Sequence, residues 1–137
     1  MKVVLIGIGG WGKNHARILS QLGVLTAICD TDDEKRKEFG KKYSVNSYKN
    51  FNEMLESENF DAAFVCTPTN THYQIATQLI QEKKDVFVEK PMTYLSEEGQ
   101  KLIELAKKNK VVLTCGYIER FNPAVSLVKN YVLSRKY

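Results

Sequence analysis

Two stretches of this 137-residue chain have residue types and spacings that could do chemistry. Near the start, Gly7, Gly9 and Gly12 follow the spacing G-x-G-x-x-G, with Ile8, Gly10 and Trp11 between them. Glycine at the first position allows a tight turn. The second lets the backbone approach a pyrophosphate, and the third lets a helix pack closely on a strand. If a helix starts there, its free N–H groups and positive dipole end face the phosphates. Much later the chain reads Glu89-Lys90-Pro91. A lysine beside an alcohol that loses hydride can stabilise charge developing on oxygen, or relay the proton. Glu89 could position it.

Asp30 lies about 20 residues beyond the glycines, where a dinucleotide site places an acid to accept ribose hydroxyls. A carboxylate there repels a 2′-phosphate, which favours NAD over NADP. Lys35 and Arg36 stand close enough to soften that preference. His72 opens a helix, where capping, packing and cofactor contact are all open readings. His15 reads as structural or as a phosphate neighbour. Trp11 either covers a cofactor or packs on the sheet.

The elements that must position these residues alternate along the chain. Continuous apolar runs, KVVLIG, VLTAICD, AAFVCT, DVFVEK and VVLTCGY, read as buried strands, with a short strand near SVNSY. Between them lie amphipathic segments. The first runs from Gly10 to about Leu22, with Trp11, His15, Ile18, Leu19 and Leu22 at helical spacing and Gly23 closing it. Thr31 is the expected cap of the second, with Glu34 completing a capping box. Ser96 is the expected cap of the helix that begins SEEGQ, and Asn122 with Pro123 opens the final helix. That last helix carries Val125, Val128 and Val132 along one stripe. Strands alternating with helices predict an α/β fold: a doubly wound, mostly parallel sheet of the Rossmann type in a single domain spanning 1–137.

Composition narrows the function classes. With 43% apolar residues the chain can bury a core. Its net charge of +4 comes from interleaved acids and bases, not from the clustered basic face that nucleic acid requires. Three cysteines, far apart and without C-x-x-C spacing, argue against a disulfide framework or a metal site. No apolar run approaches the roughly 20 residues that span a bilayer. The expected setting is cytoplasmic, with no membrane or nucleic-acid partner.

Taken together, GIGGWGKNHAR, Asp30, the CTPTNTH stretch from Cys66 to His72, and EKP resemble the N-terminal domain of the glucose–fructose oxidoreductase, inositol dehydrogenase and rhizopine-catabolism (Gfo/Idh/MocA) family. The resemblance covers essentially the whole chain. It implies that Gly7, Ile8, Gly9, Gly10, Trp11 and Asp30, with Gly12 packing the loop, bind the adenine half of NAD. It implies that Thr67, Pro68, Thr69 and His72 line the dinucleotide. Lys90, beside Glu89, then reaches the nicotinamide and the reacting sugar as the catalytic residue. GYIERFNPAV resembles the start of the family's crossover helix, where Tyr117 or Arg120 would face substrate, although Arg120 could equally pair with Glu119.

Family enzymes carry a second domain that supplies the substrate pocket, a partner acid or base for the lysine, and usually the oligomer interface. The expectation is therefore an isolated cofactor-binding domain. It would belong to an enzyme that transfers hydride between NAD and a sugar, nucleotide-sugar or cyclitol hydroxyl, and would be inactive alone. Surfaces left bare by the absent domain could self-associate into a homo-oligomer. The alternative is a stand-alone NAD-binding or sensing module without turnover.

Overall fold

Val3–Ile6 are continuous, mostly β-branched and wholly buried, and they form the central strand β1. A computed structural model describes residues 1–134; residues 135–137, which the expected domain includes, lie outside the described residues. After β1 come α1 (Gly12–Gln21), β2 (Leu25–Cys29), α2 (Asp33–Tyr43), β3 (Asn46–Tyr48) and α3 (Phe51–Ser57). The second half holds β4 (Ala62–Val65), α4 (Thr69–Gln81), β5 (Asp85–Val88), α5 (Ser96–Asn109) and β6 (Leu113–Cys115). A 3₁₀ turn, Ile118–Phe121, leads into α6 (Pro123–Ser134).

The strands lie in the order β3-β2-β1-β4-β5-β6, and every neighbouring pair is parallel. This is the doubly wound Rossmann order, as the alternation of segments predicts. Side chains alternate across the sheet and sort the core into two layers. Val4, Ile6, Ala63 and Val65 pack beneath α3, α4 and α5, through Met54, Leu79, Ile80 and Leu102. On the other face, Val3, Leu5 and Ile28 pack against Ala16 and Leu19 of α1 and Phe39 of α2.

Several local expectations are corrected. The inward face of α1 is Gly12, Ala16 and Leu19, whereas Trp11, Ile18 and Leu22 are exposed. Small residues let the helix sit close to the sheet, so residue size decides the contact and the larger apolar residues are displaced outward. Asp32, not Thr31, caps α2: its Oδ1 accepts the N–H groups of Glu34 and Lys35 at 3.0 and 3.1 Å. A carboxylate meets both the free N–H groups and the helix dipole better than a hydroxyl does. Ser96 is the first residue of α5, with Leu95 at the cap position and Glu98 Oε2 accepting the Leu95 N–H at 3.2 Å. Asn122 caps α6 as expected, its Oδ1 accepting the Ala124 N–H at 2.9 Å. The Val125, Val128 and Val132 stripe of α6 is exposed, however.

Candidate functional site

The chain winds outward in both directions from β1, toward β2 and toward β4, so a crevice opens at the carboxyl ends of β1 and β4. Gly7 leaves β1 with φ of 92°, and a Cβ there would lie 2.6 Å from the Cys66 carbonyl oxygen after β4. Both the left-handed backbone and the close approach demand glycine. At Gly12 a Cβ would run into the Gly7 carbonyl. Gly9 and Gly10 differ from these two, because a Cβ at either meets nothing within 4 Å. Their backbone is exposed and open to a ligand.

Asp30 reaches back under this loop. Its Oδ2 accepts the N–H of Ile8 at 2.5 Å, and its Oδ1 accepts the N–H of Asp32 at 2.9 Å. Ile8 is buried and its amide is taken by Asp30, so it shapes the loop and offers no N–H to a ligand. A carboxylate has about four acceptor sites, which leaves Asp30 able to accept ribose hydroxyls as well. Arg36 Nη1 donates to the Asp30 carbonyl at 2.9 Å, and its other terminal nitrogen pairs with Asp33. Lys35 Nζ lies 3.2 Å from Asp32. Asp30, Gly7, Gly9, Thr67 and Pro68 line one cavity of about 520 Å³.

A second cavity, of about 550 Å³, is lined by Trp11, Glu89, Lys90, Tyr117 and Arg120. Lys90 is exposed on its wall. Trp11 is 44% exposed, so it borders the cavity and does not pack on the sheet. Glu89 is 6% exposed; its Oε2 accepts the Lys90 backbone N–H at 3.0 Å, and its Oε1 meets His15 Nε2 at 2.7 Å. The Arg120 guanidinium lies 5.9 Å from the centre of the Tyr117 ring, while Glu119 accepts from Asn122 Nδ2 at 2.8 Å.

His72 is 1% exposed, and its ring lies beneath the site. Its Nε2 is 2.8 Å from the Thr67 carbonyl and its Nδ1 is 3.0 Å from the Pro91 carbonyl. It ties the loop after β4 to the loop after β5, and both ring nitrogens are occupied by protein. Thr71 Oγ1, 2.7 Å from both Thr67 Oγ1 and the Pro68 carbonyl, braces the same loop. Thr69 starts α4 outside both cavity linings.

Residues that sequence reasoning missed also converge here. Lys49, Phe51 and Ile75 line the Asp30 cavity. Phe51 and Ile75 are half-buried against the core and line the cavity as well. Cys29 and Cys66 line it too, but burial pushes their thiols up to about 11 and about 12, so neither is a nucleophile. Among the described residues no helix is long and apolar enough to cross a membrane.

Comparison with known proteins agrees with this geometry. The chain is 34% identical over 135 residues to a myo-inositol 2-dehydrogenase of Thermotoga maritima, covering 96% of this chain and 40% of that protein. It is 29% identical over 129 residues to a UDP-N-acetylglucosamine 3-dehydrogenase of Acidithiobacillus ferrooxidans, covering 94% of this chain and 41% of that one. Among solved structures, the WlbA dehydrogenase of Bordetella pertussis, in complex with NADH and UDP-GlcNAcA, superposes with a TM-score of 0.90 at 28% identity, covering 97% of this chain and 42% of that one. The chain thus spans about two-fifths of the length of the curated relatives it matches. The model of the oxidoreductase family with an NAD-binding Rossmann fold matches residues 1–117, and the chain belongs to that family, Gfo/Idh/MocA.

Proposed function

We propose that the chain is the cofactor-binding part of a dehydrogenase that moves hydride between NAD and a hydroxyl of a sugar, nucleotide sugar or cyclitol. One observation carries this reading. A single loop borders both cavities, with Gly9 on the Asp30 side and Trp11 on the Lys90 side. A dinucleotide laid over Gly9 and Gly10 then has its adenosine at Asp30 and its nicotinamide beside Lys90. The residues fit such a ligand: open backbone where the pyrophosphate would lie, and spare acceptor capacity on Asp30.

Bound nicotinamide supplies the hydride acceptor or donor. Lys90 stabilises the substrate oxygen as charge develops, and Glu89 holds the Lys90 backbone in place. Tyr117 and Arg120 border the same cavity and would face substrate. Relatives named for inositol and UDP-sugar substrates support the polyhydroxylated class. The free cysteines support a reducing, cytoplasmic setting.

The test joins this chain to the remaining segment of the Thermotoga relative and follows NADH formation over a panel of inositols, sugars and UDP-sugars. Turnover is expected with at least one, and Lys90→Met should lower kcat by roughly a hundredfold or more while NADH still binds. A fusion that binds NADH yet turns over nothing, or a Lys90→Met form with full kcat, would contradict the proposal.

A further inference from the structure

Glu89 brings a carboxylate into a nearly closed position, and burying a charge is costly unless it is paired. Its surroundings are fitted to that carboxylate. His15, from the first turns of α1, meets Oε1 at 2.7 Å. The His15 ring packs edgewise against the stacked pair of Phe64 and Phe87, with centroids 5.3 and 5.1 Å away. On the β6 side, a Cβ at Gly116 would lie 3.0 Å from the carboxylate carbon and both its oxygens, so the carboxylate would have to give by a few tenths of an ångström to admit one. These contacts come from α1, β4, β5 and the end of β6, yet the group they enclose borders the Lys90 cavity.

We propose that the His15–Glu89 pair sets the preference of this cavity for oxidised over reduced nicotinamide cofactor, with His15 a positioning residue that acts through Glu89. The inference rests on the proposed cofactor reading. The oxidised nicotinamide ring is a cation and the reduced ring is neutral. A carboxylate on the cavity wall attracts the first and is indifferent to the second. When His15 carries a proton the pair is neutral overall and the attraction shrinks. When His15 is neutral, the charge on Glu89 is uncompensated and the oxidised form gains.

Other groups face the pair. Burial, with the Glu89 charge adding to it, pushes the Cys66 thiol up, and burial pushes Cys115 up against the hydrogen bonds from Tyr117 and the Gly116 backbone, so both stay as thiols. Lys90, Glu119, Arg120 and Tyr117 share the cavity wall, and the hydrogen bond to Cys115 pushes the Tyr117 hydroxyl up. The pair is therefore the element on this wall whose net charge depends on a histidine proton.

The test measures dissociation constants of NAD⁺ and NADH for the 137-residue chain at about pH 6 and about pH 8, the span in which histidines change charge. In the unsubstituted chain the affinity ratio of NAD⁺ to NADH should rise about fivefold from the lower to the higher pH. His15→Gln, which keeps a donor for Glu89, should fix the ratio near its high-pH value. Glu89→Gln should fix it near its low-pH value. A merely structural role would change both affinities together and leave the ratio alone. A ratio in the unsubstituted chain that ignores pH would overturn the inference, whether or not the variants fold. The same holds for a Glu89→Gln form that keeps the parent's ratio and pH response. If neither cofactor binds, the cofactor reading falls and takes this inference with it.

Discussion

The carboxylate of Asp30 closes on the backbone of Ile8: Oδ2 accepts its N–H at 2.5 Å across 22 residues of sequence. The acid at the end of β2 is therefore both a ribose acceptor and a clamp on the glycine loop. Hydrogen bonds to charged groups contribute about 1.5–3 kcal/mol. Asp30→Ala should lower the thermal midpoint and weaken NADH binding by roughly tenfold or more. It should not create a good NADPH site, because the loop loses its clamp as the repulsion is relieved. Calorimetric titration of the variant with both cofactors checks this; tight NADPH binding by Asp30→Ala would show that the clamp is dispensable.

The glycines separate into two kinds. Gly7→Ala meets a φ of 92° and the Cys66 carbonyl at 2.6 Å, so it should destabilise the fold by about 3 kcal/mol in urea unfolding. Gly9→Ala meets nothing within 4 Å and should leave the unfolding midpoint unchanged. Its methyl group stands where the pyrophosphate must approach, so NADH affinity should fall by about tenfold or more. The reverse pattern, with Gly9→Ala unfolding the chain or binding normally, would remove the ligand from this loop.

His72 joins the Thr67 and Pro91 carbonyls from a buried position. Its replacement by alanine removes this tie between the two loops and opens a void, at a cost of about 2–3 kcal/mol. NADH affinity under folding conditions should stay within about threefold, since His72 lines neither cavity. Equilibrium unfolding and titration on the same variant read the two effects separately.

The thiols predict how stability depends on pH. Burial raises Cys29 to about 11 and Cys66 to about 12. A folded value above the unfolded one means that the neutral thiol is favoured by the fold. That stability is present in full below the ordinary cysteine value of about 8.5, and it is lost as pH rises toward the folded values. Thermal midpoints should therefore fall between about pH 8.5 and pH 11, less steeply in Cys66→Ala, and a thiol reagent at pH 7 should modify Cys66 far more slowly than a free thiol.

The wound sheet was legible because its strands are uninterrupted apolar runs and its turns carry glycine. Val3–Ile6 followed by Gly7 admits few other readings. The loop function of Gly7 and Gly12 was legible for the same reason: both are needed by backbone geometry that local spacing encodes. What escaped depends on contact between distant segments. His15 and Glu89 stand 74 residues apart and meet only once α1 lies over β4 and β5. The expected stripe of α1 holds at Leu19 and fails at Ile18 and Leu22, because apolar residue type points to them while close packing selects Gly12 and Ala16. Thr31 and Asp32 compete for one cap within a single residue of each other, and only the backbone angles at Asp32 decide it. The openness of Gly9 was legible in its place as the second glycine of the spacing, whereas that of Gly10 has no sequence signal apart from glycine itself.

Titrating the 137-residue chain with NADH and, separately, with NADPH tests the central claim most directly. NADH is expected to bind with a stoichiometry of about one, and NADPH roughly tenfold more weakly, because Asp30 accepts ribose hydroxyls and repels a 2′-phosphate. Binding of neither would contradict the assignment of this crevice to a dinucleotide, and tighter binding of NADPH would contradict the role given to Asp30.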